Sequence, residues 1–178
     1  MFRYCPFCAS EKISFEKRRV FRCPGCGFTY YHNTAAAVAG VVKTAAGLIL
    51  LTRAKEPGRG KLDLPGGFVD PGEGAMDGLR REIIEELGWD PGPLGGAGER
   101  PCRLFASFPN TYVYKTIPYN TCDLFFSLDA PELTEKDLVI EAEEISGLRF
   151  IQPEDIDPDN LAFESVKRAL RVYLNLGT

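Results

Sequence analysis

Apolar residues along this chain change their spacing several times, and each change predicts an element. Ala35 to Val42 and Leu48 to Thr52 are short, nearly continuous apolar runs on either side of Ala45-Ala46-Gly47. Such runs read as buried strands around a turn. Glu56 to Lys61 is a turn-rich loop, and Leu62-Asp63-Leu64 leads into a Pro65-Gly66-Gly67 turn. From Ala75 to Leu87 the period becomes helical. Met76, Leu79, Ile83 and Leu87 fall on one core-facing side, and Gly88 supplies a stop. After a Gly/Pro loop from Asp90 to Pro101, Cys102 to Phe108 and Asn120 to Leu128 alternate as paired strands do. Gly147 to Ile151 reads as a last strand. Leu161, Val166, Leu170, Val172, Tyr173 and Leu174 sit at helical spacing through Leu161 to Leu176. The elements predict an α/β fold, a mixed sheet flanked by helices, with no internal repeat.

Residues 1–30 break this pattern. They are short of aliphatic side chains and rich in Cys, Gly, Pro and aromatics, so they cannot build a core unaided. Two Cys-x-x-Cys pairs, Cys5 with Cys8 and Cys23 with Cys26, stand fourteen residues apart. Four thiolates so spaced suit a closed tetrahedral Zn²⁺ site, structural because no position is left open, and metal binding would supply the missing folding energy. The alternatives are disulfides or redox thiols. Disulfides need an oxidising compartment, which nothing else in the chain indicates. The expected organisation is a zinc ribbon over residues 1–32 and a second domain over 33–178. His32 reads as structural or surface, and Cys102 and Cys122, each alone in an apolar stretch, as small buried hydrophobes.

Composition adds limits. The 178 residues are 44% hydrophobic and 26% charged, an ordinary globular balance. The net charge of −4 and the pI near 5.2 do not favour nucleic acid overall. An acidic protein that handles phosphates needs a cation to mediate contact. No apolar stretch is long enough to span a membrane and the N-terminus lacks an apolar signal core, so no membrane association and a cytoplasmic location are expected.

The helical segment carries the candidate chemistry. Glu82, Glu85 and Glu86 lie at i, i+3 and i+4 on the side away from the core, so their carboxylates are expected to converge, with Arg81 beside Glu85. The plain alternative is a solvated acidic face. Against it, like charges at these spacings repel by roughly 0.2–0.5 kcal/mol per pair. They also sit where the helix dipole disfavours anions. A divalent cation would correct both, and hard carboxylate oxygens suit Mg²⁺ or Mn²⁺. Such an ion neutralises pyrophosphate charge and activates water. The adjacent glycines let backbone come close to a metal or phosphate.

The run Gly67, Glu73, Arg81-Glu82-Ile83, Glu85-Glu86, Gly88 and Trp89 resembles the box of the Nudix hydrolases (MutT-like) at every fixed position, with Trp89 bulkier than the usual aliphatic residue. Leu64-Pro65-Gly66-Gly67 before the box and Leu161-Ala162-Phe163, which begins a typical closing helix, extend the likeness over residues 35 to about 176. The resemblance implies an α/β/α sandwich and Mg²⁺ bound by Glu82, Glu85 and Glu86 with the Gly66 carbonyl. Glu73 and Arg81 would orient those glutamates. The implied activity is pyrophosphohydrolysis of a nucleoside diphosphate linked to another moiety.

A four-Cys ribbon before such a domain is similar to the NADH pyrophosphatase branch, as are Tyr30-Tyr31 before an Ala-Val strand and Glu144-Ile145 before Arg149-Phe150. By that match Glu144 would be a further metal ligand or the base, and NADH, NAD or ADP-ribose would lead as substrates. The neighbouring Glu141 and Glu143, like Glu144, also read as solvated loop acids. The branch's Ser-Gln-Pro-Trp-Pro-Phe-Pro signature is replaced here by Phe105-Ala106-Ser107-Phe108-Pro109-Asn110-Thr111-Tyr112, which keeps only Phe-Pro. Phe108, Asn110, Tyr112 and Tyr114 are candidates to stack on and bond a base or ribose; the alternative is a surface turn with core-facing aromatics. Arg53, Lys61 and Lys115 are candidate phosphate contacts, set against ordinary surface charge. A second function class is a nucleotide-sensing module whose ribbon touches RNA through Arg3, Lys12, Lys17, Arg18, Arg19 and Arg22. Binding-only relatives usually lose box glutamates, whereas this chain keeps them. The resemblance also suggests a homodimer formed through the ribbon.

Overall fold

The computed structural model describes residues 2–17 and 19–176; Arg18 of the basic ribbon set lies outside them. The chain separates into two compact units, Met1–Thr34 and Ala35–Thr178. In the first, β1 (Ser14–Glu16), β2 (Val20–Arg22) and β3 (Thr29–Tyr31) form a three-stranded antiparallel sheet. Among its described residues, the apolar centre is aromatic. Phe21 is buried, stacked on Phe15 at 4.3 Å and met edge-on by Phe2 at 5.0 Å. That is too little to hold three short strands without help.

The second unit is built around one mixed sheet. Its strands are β4 (Ala35–Thr44), β5 (Gly47–Arg53), β6 (Leu62–Asp63), β7 (Gly66–Phe68), β8 (Cys102–Tyr114), β9 (Ile117–Asp129) and β10 (Ile145–Ile151). The central order is β10-β5-β4-β9-β8, with β6 on β5 and β7 on β4. Among the described strands of this sheet, β4 and β9 alone pair in parallel. Alternation divides the apolar residues between two faces. Val38, Val42, Ile49, Leu51, Phe126 and Leu128 turn toward helix α1 (Ala75–Leu87), which contributes Leu79, Ile83 and Leu87. Val41, Leu48, Leu50 and Phe125 turn toward α2 (Glu164–Leu176), which contributes Val166, Ala169 and Leu170. The α/β/α sandwich and mixed sheet are as expected. Among the described residues no helix is long and apolar enough to cross a membrane.

Three local expectations need correction. Pro65-Gly66-Gly67 does not remain a turn: Gly66 and Gly67 enter β7 and pair with Ala39 and Val38. Between Phe108 and Asn120 the strands do not stop. β8 and β9 continue to a two-residue turn at Lys115 and Thr116, both at positive φ, as a type I′ hairpin turn requires. Pro109 hid this extension. It is tolerated because β8 is an edge strand, where a missing N–H breaks no outer ladder. Cys122 is exposed rather than buried, because in that register it points away from the face that holds Thr121 and Asp123.

Candidate active site

Helix α1 places its acids by simple geometry. With Leu79, Ile83 and Leu87 fully buried, Glu82 and Glu86 fall beside β7 and Glu85 points outward. Glu86 Oε2 accepts the Gly66 N–H at 2.8 Å. Gly66 has φ +147, and a Cβ there would run into the backbone of Val38, so β7 approaches β4 this closely only with glycine. A Cβ on Gly67 would instead lie 2.6 Å from the Glu82 carboxyl carbon, so this glycine makes room for the carboxylate.

Arg81 organises the rest. Its guanidinium donates to Glu73 at 2.7 and 3.1 Å, to Glu82 at 2.9 Å, to Glu85 at 2.9 Å and to the Phe68 carbonyl at 2.9 Å. Glu73 is thereby held below the usual carboxylate range. Glu82 and Glu86 shift the other way. Burial raises Glu82, with Glu85 and Glu144 adding repulsion against the help of Arg81. Glu86 is raised well above its ordinary value by burial first, then by the charges of Glu82, Asp63 and Glu144, which outweigh the Gly66 N–H.

The glutamates do not converge on one point, as the helical spacing led us to expect. Among the described residues, no three acidic side chains bring a carboxylate oxygen each within 4.8 Å of one another. Arg81 spreads Glu82 and Glu85, while Glu86 turns to Gly66. The donors nevertheless fit a hard divalent cation: several carboxylates, two of them largely shielded and destabilised in their charged form, with space for the waters such an ion keeps. Glu144 lines the same space, but its side chain is 66% exposed and lies 3.6 Å from Lys55 Nζ.

These residues border a cavity of about 600 Å³ that runs from α1 across β7, β4 and the β8–β9 hairpin to Phe163. Of the proposed substrate contacts, Asn110, Tyr112 and Tyr114 line it; Phe108 does not. Phe108 packs toward Phe125 at 6.2 Å beneath the Arg168 guanidinium at 4.1 Å. Arg53 lines the cavity with its nitrogens engaged. It donates to the Pro57 carbonyl at 2.7 Å, Asp63 at 2.8 Å and the Tyr112 hydroxyl at 3.4 Å, and lies 5.0 Å over the Phe163 ring. Lys61 is exposed and outside the lining, and Lys115 lies at the hairpin tip over Tyr114.

In the first unit, the four predicted cysteine sulfurs all lie within 4.8 Å of one another. The two knuckles are built alike. The Ala9 and Gly27 N–H groups return to the Cys5 and Cys23 carbonyls at 2.9 Å, with Ala9 and Gly27 at φ 59 and 76. Burial pushes the Cys23 thiol up, but the N–H groups of Cys26 and Gly25 outweigh it and leave the thiol at about 7. This donor set fits Zn²⁺ without rearrangement. His32 is exposed and stands outside the cluster.

The model of the NUDIX domain matches residues 33–172. The chain belongs to the Nudix family. Among curated relatives, the NAD-capped RNA hydrolase NudC of Pseudomonas aeruginosa is 29% identical over 136 residues, 72% of this chain and 49% of that protein. The NudC of Stutzerimonas stutzeri is 31% identical over 51% of this chain and 33% of its own length. The ADP-ribose pyrophosphatase of Methanocaldococcus jannaschii is 32% identical over 48% and 55%. The chain thus spans about half, or less, of the NudC relatives it matches. Among solved structures, a NUDIX hydrolase from Nitrosomonas europaea superposes with a TM-score of 0.65 at 21% identity, covering 98% of this chain and 91% of that one. The Nudix domain of Shewanella oneidensis NrtR, solved with ADP ribose, gives 0.65 at 16% identity over 83% and 91%. These structures share the fold.

Within the Nudix domain, three cavity residues escaped the sequence reading, Asp63, Thr121 and Asp123, as did Ser165 of α2, which donates to Asp123. A signal was present. Leu62-Asp63-Leu64 puts a charge between buried leucines, and Asp123 lies two residues from Phe125, on the apolar register of β9.

Proposed function

We propose that the second unit, with residues 33–178 as the domain, hydrolyses the pyrophosphate bond of a nucleoside diphosphate linked to another moiety. An NAD(H)-like dinucleotide or ADP-ribose is the leading substrate. One observation carries this reading. Glu86 sits deep beside β7, with its charge opposed by burial and by Glu82, Asp63 and Glu144. Burial and repulsion of this kind disfavour the charged carboxylate, and a bound cation would offset both. Glu82, Glu85 and Glu86, with Gly66 at the wall, would hold Mg²⁺ or Mn²⁺. When bound, the ion supplies charge neutralisation for the diphosphate and acidifies a water. Arg81 and Glu73 fix the rotamers of the metal-facing glutamates. Glu144, at the cavity mouth, is the candidate proton acceptor or a further ligand. The named activities of the relatives, on NAD-capped RNA and on ADP-ribose, support this substrate class.

The four cysteines of residues 1–32 would hold a structural Zn²⁺. The test is a product-release screen of the full chain with Mg²⁺ on NADH, NAD, ADP-ribose, dinucleoside polyphosphates and nucleoside triphosphates. Cleavage of one group, lost with chelator and in Glu86→Gln, is the expected result. Binding without cleavage in every case would favour a nucleotide sensor.

A further inference from the structure

We infer that Asp123 is a specificity-determining residue of this cavity. Its carboxylate receives the N–H edge of a nucleobase, favouring a base with an exocyclic amine, such as adenine, over the oxo counterpart hypoxanthine. The inference rests on the nucleoside-diphosphate reading above and goes further by assigning the base end of the site.

Asp123 lines the cavity from β9 and is only 8% exposed. Its Oδ1 accepts the Thr121 hydroxyl at 2.6 Å and its Oδ2 the Ser165 hydroxyl at 2.7 Å. An ionised carboxylate has about four acceptor positions, so each oxygen keeps capacity for another donor. The nearby cation is committed elsewhere: Arg53 bonds Asp63 at 2.8 Å. Asp123 even adds to the repulsion that raises the Asp63 carboxyl. This end of the cavity therefore holds two carboxylates and one guanidinium. Keeping a carboxylate there without a cation is costly, and the two hydroxyls offset only part of that. They also orient it. With Thr121 and Ser165 spending their protons on Asp123, the surface offered to a ligand is acceptor only.

The surroundings suit a flat ring. Tyr112 lies 5.9 Å from Phe163 and 5.6 Å from Phe68, and Phe125 closes the same region. Register gives the distance to the chemistry. Ala37 of β4 pairs with Phe68 on one side and Asp123 on the other. Asp123 is thus two strand spacings, about 10 Å, from the strand whose Gly66 meets Glu86. A nucleoside can bridge that span, with its diphosphate toward α1 and its base toward Asp123. An amine placed there gains hydrogen bonds to a charged acceptor. A carbonyl oxygen in its place would face a carboxylate, acceptor against acceptor, and sites built on such bonds reject the wrong partner strongly.

The test measures equilibrium binding of ADP-ribose, its inosine counterpart and 2′-deoxy-ADP-ribose to the full chain and to Asp123→Asn, with Mg²⁺ hydrolysis of the same probes run in parallel. We expect the wild type to bind the adenine probe roughly 10- to 100-fold more tightly than the hypoxanthine probe. In Asp123→Asn the preference should collapse or reverse, because the amide replaces one acceptor with a donor. The 2′-deoxy probe should lose the same factor in both proteins. Should Asp123→Asn fail to fold, Ser165→Ala, which releases Oδ2, is expected to narrow the preference. Equal binding of the two bases, equal weakening of both in the variant, or an effect that follows the 2′-hydroxyl would each overturn the inference. Base preference without cleavage would sink the hydrolase reading and leave Asp123 standing; cleavage without base preference does the reverse. No binding of any probe removes both.

Discussion

Two adjacent glycines separate the stability of this site from its chemistry. Replacing Gly66 by alanine puts a Cβ against the Val38 carbonyl and the Ala39 Cα, backbone atoms held in the sheet that cannot step aside. The conformation itself, φ +147, adds about 1–3 kcal/mol for any residue with a side chain. Gly66→Ala should therefore lose several kcal/mol, enough to threaten a domain of ordinary stability. Gly67→Ala differs in kind. Its new Cβ would lie 2.6 Å from Glu82 Cδ, the far end of a flexible side chain, which can swing away. The swing breaks the Glu82–Arg81 pair, worth about 1 kcal/mol when partly exposed, against a gain of about 0.4–1 kcal/mol from a stiffer unfolded chain. The net change in stability should stay within about 1 kcal/mol. The Glu82 oxygens proposed to face the metal, however, move by an ångström or more, and displacements of that size cost about 100-fold in rate. Urea unfolding of both variants, with Mn²⁺ binding followed by electron paramagnetic resonance and with hydrolysis, reads the two effects separately. Wild-type Mn²⁺ affinity and rate in Gly67→Ala, or a loss of stability equal to that of Gly66→Ala, would refute the placement of Glu82 behind Gly67.

Further outcomes follow from the same geometry. Arg81→Ala frees Glu73, Glu82 and Glu85 at once and should cut hydrolysis by about 100-fold or more while costing only about 1–2 kcal/mol in urea unfolding, since its pairs are partly exposed. Asp63, raised by burial to about 6 despite Arg53, binds its proton more tightly folded than unfolded. Its contribution therefore favours the fold below about pH 4 and is lost as pH rises through 6, a change of about 2–3 kcal/mol. Subtracting the stability–pH curve of Asp63→Asn from that of the wild type should show this fall, and a flat difference would contradict the burial. If the four cysteines hold zinc as proposed, chelation or Cys23→Ser should release it and make residues 1–34 sensitive to protease, because the aromatic cluster on Phe21 cannot hold the ribbon alone. Metal analysis and mass spectrometry of the cleavage sites check this.

The chain's own periodicities determined most of the frame. The helix from Ala75 to Leu87, the buried pair of strands ahead of it, the paired cysteines and the acidic side of α1 all follow from neighbours within a few residues, where spacing alone decides which side chains share a face. The hairpin beyond Phe108 was not legible locally. Pro109 and Pro118 argue against strand until it is known that they pair at the open edge and tip of the sheet. Long-range register also decided the cavity. Only the parallel pairing of β4 with β9 sets Asp123 across from Ala37, and only the packing of α2 brings Ser165 to it. The acids of α1 show the same division. Their helical spacing promised convergence, but Arg81 and the Gly66 N–H, reached through tertiary contact, decide where each carboxylate rests. Contacts between residues far apart in sequence depend on how sheets and helices assemble, and local spacing carries no record of that assembly.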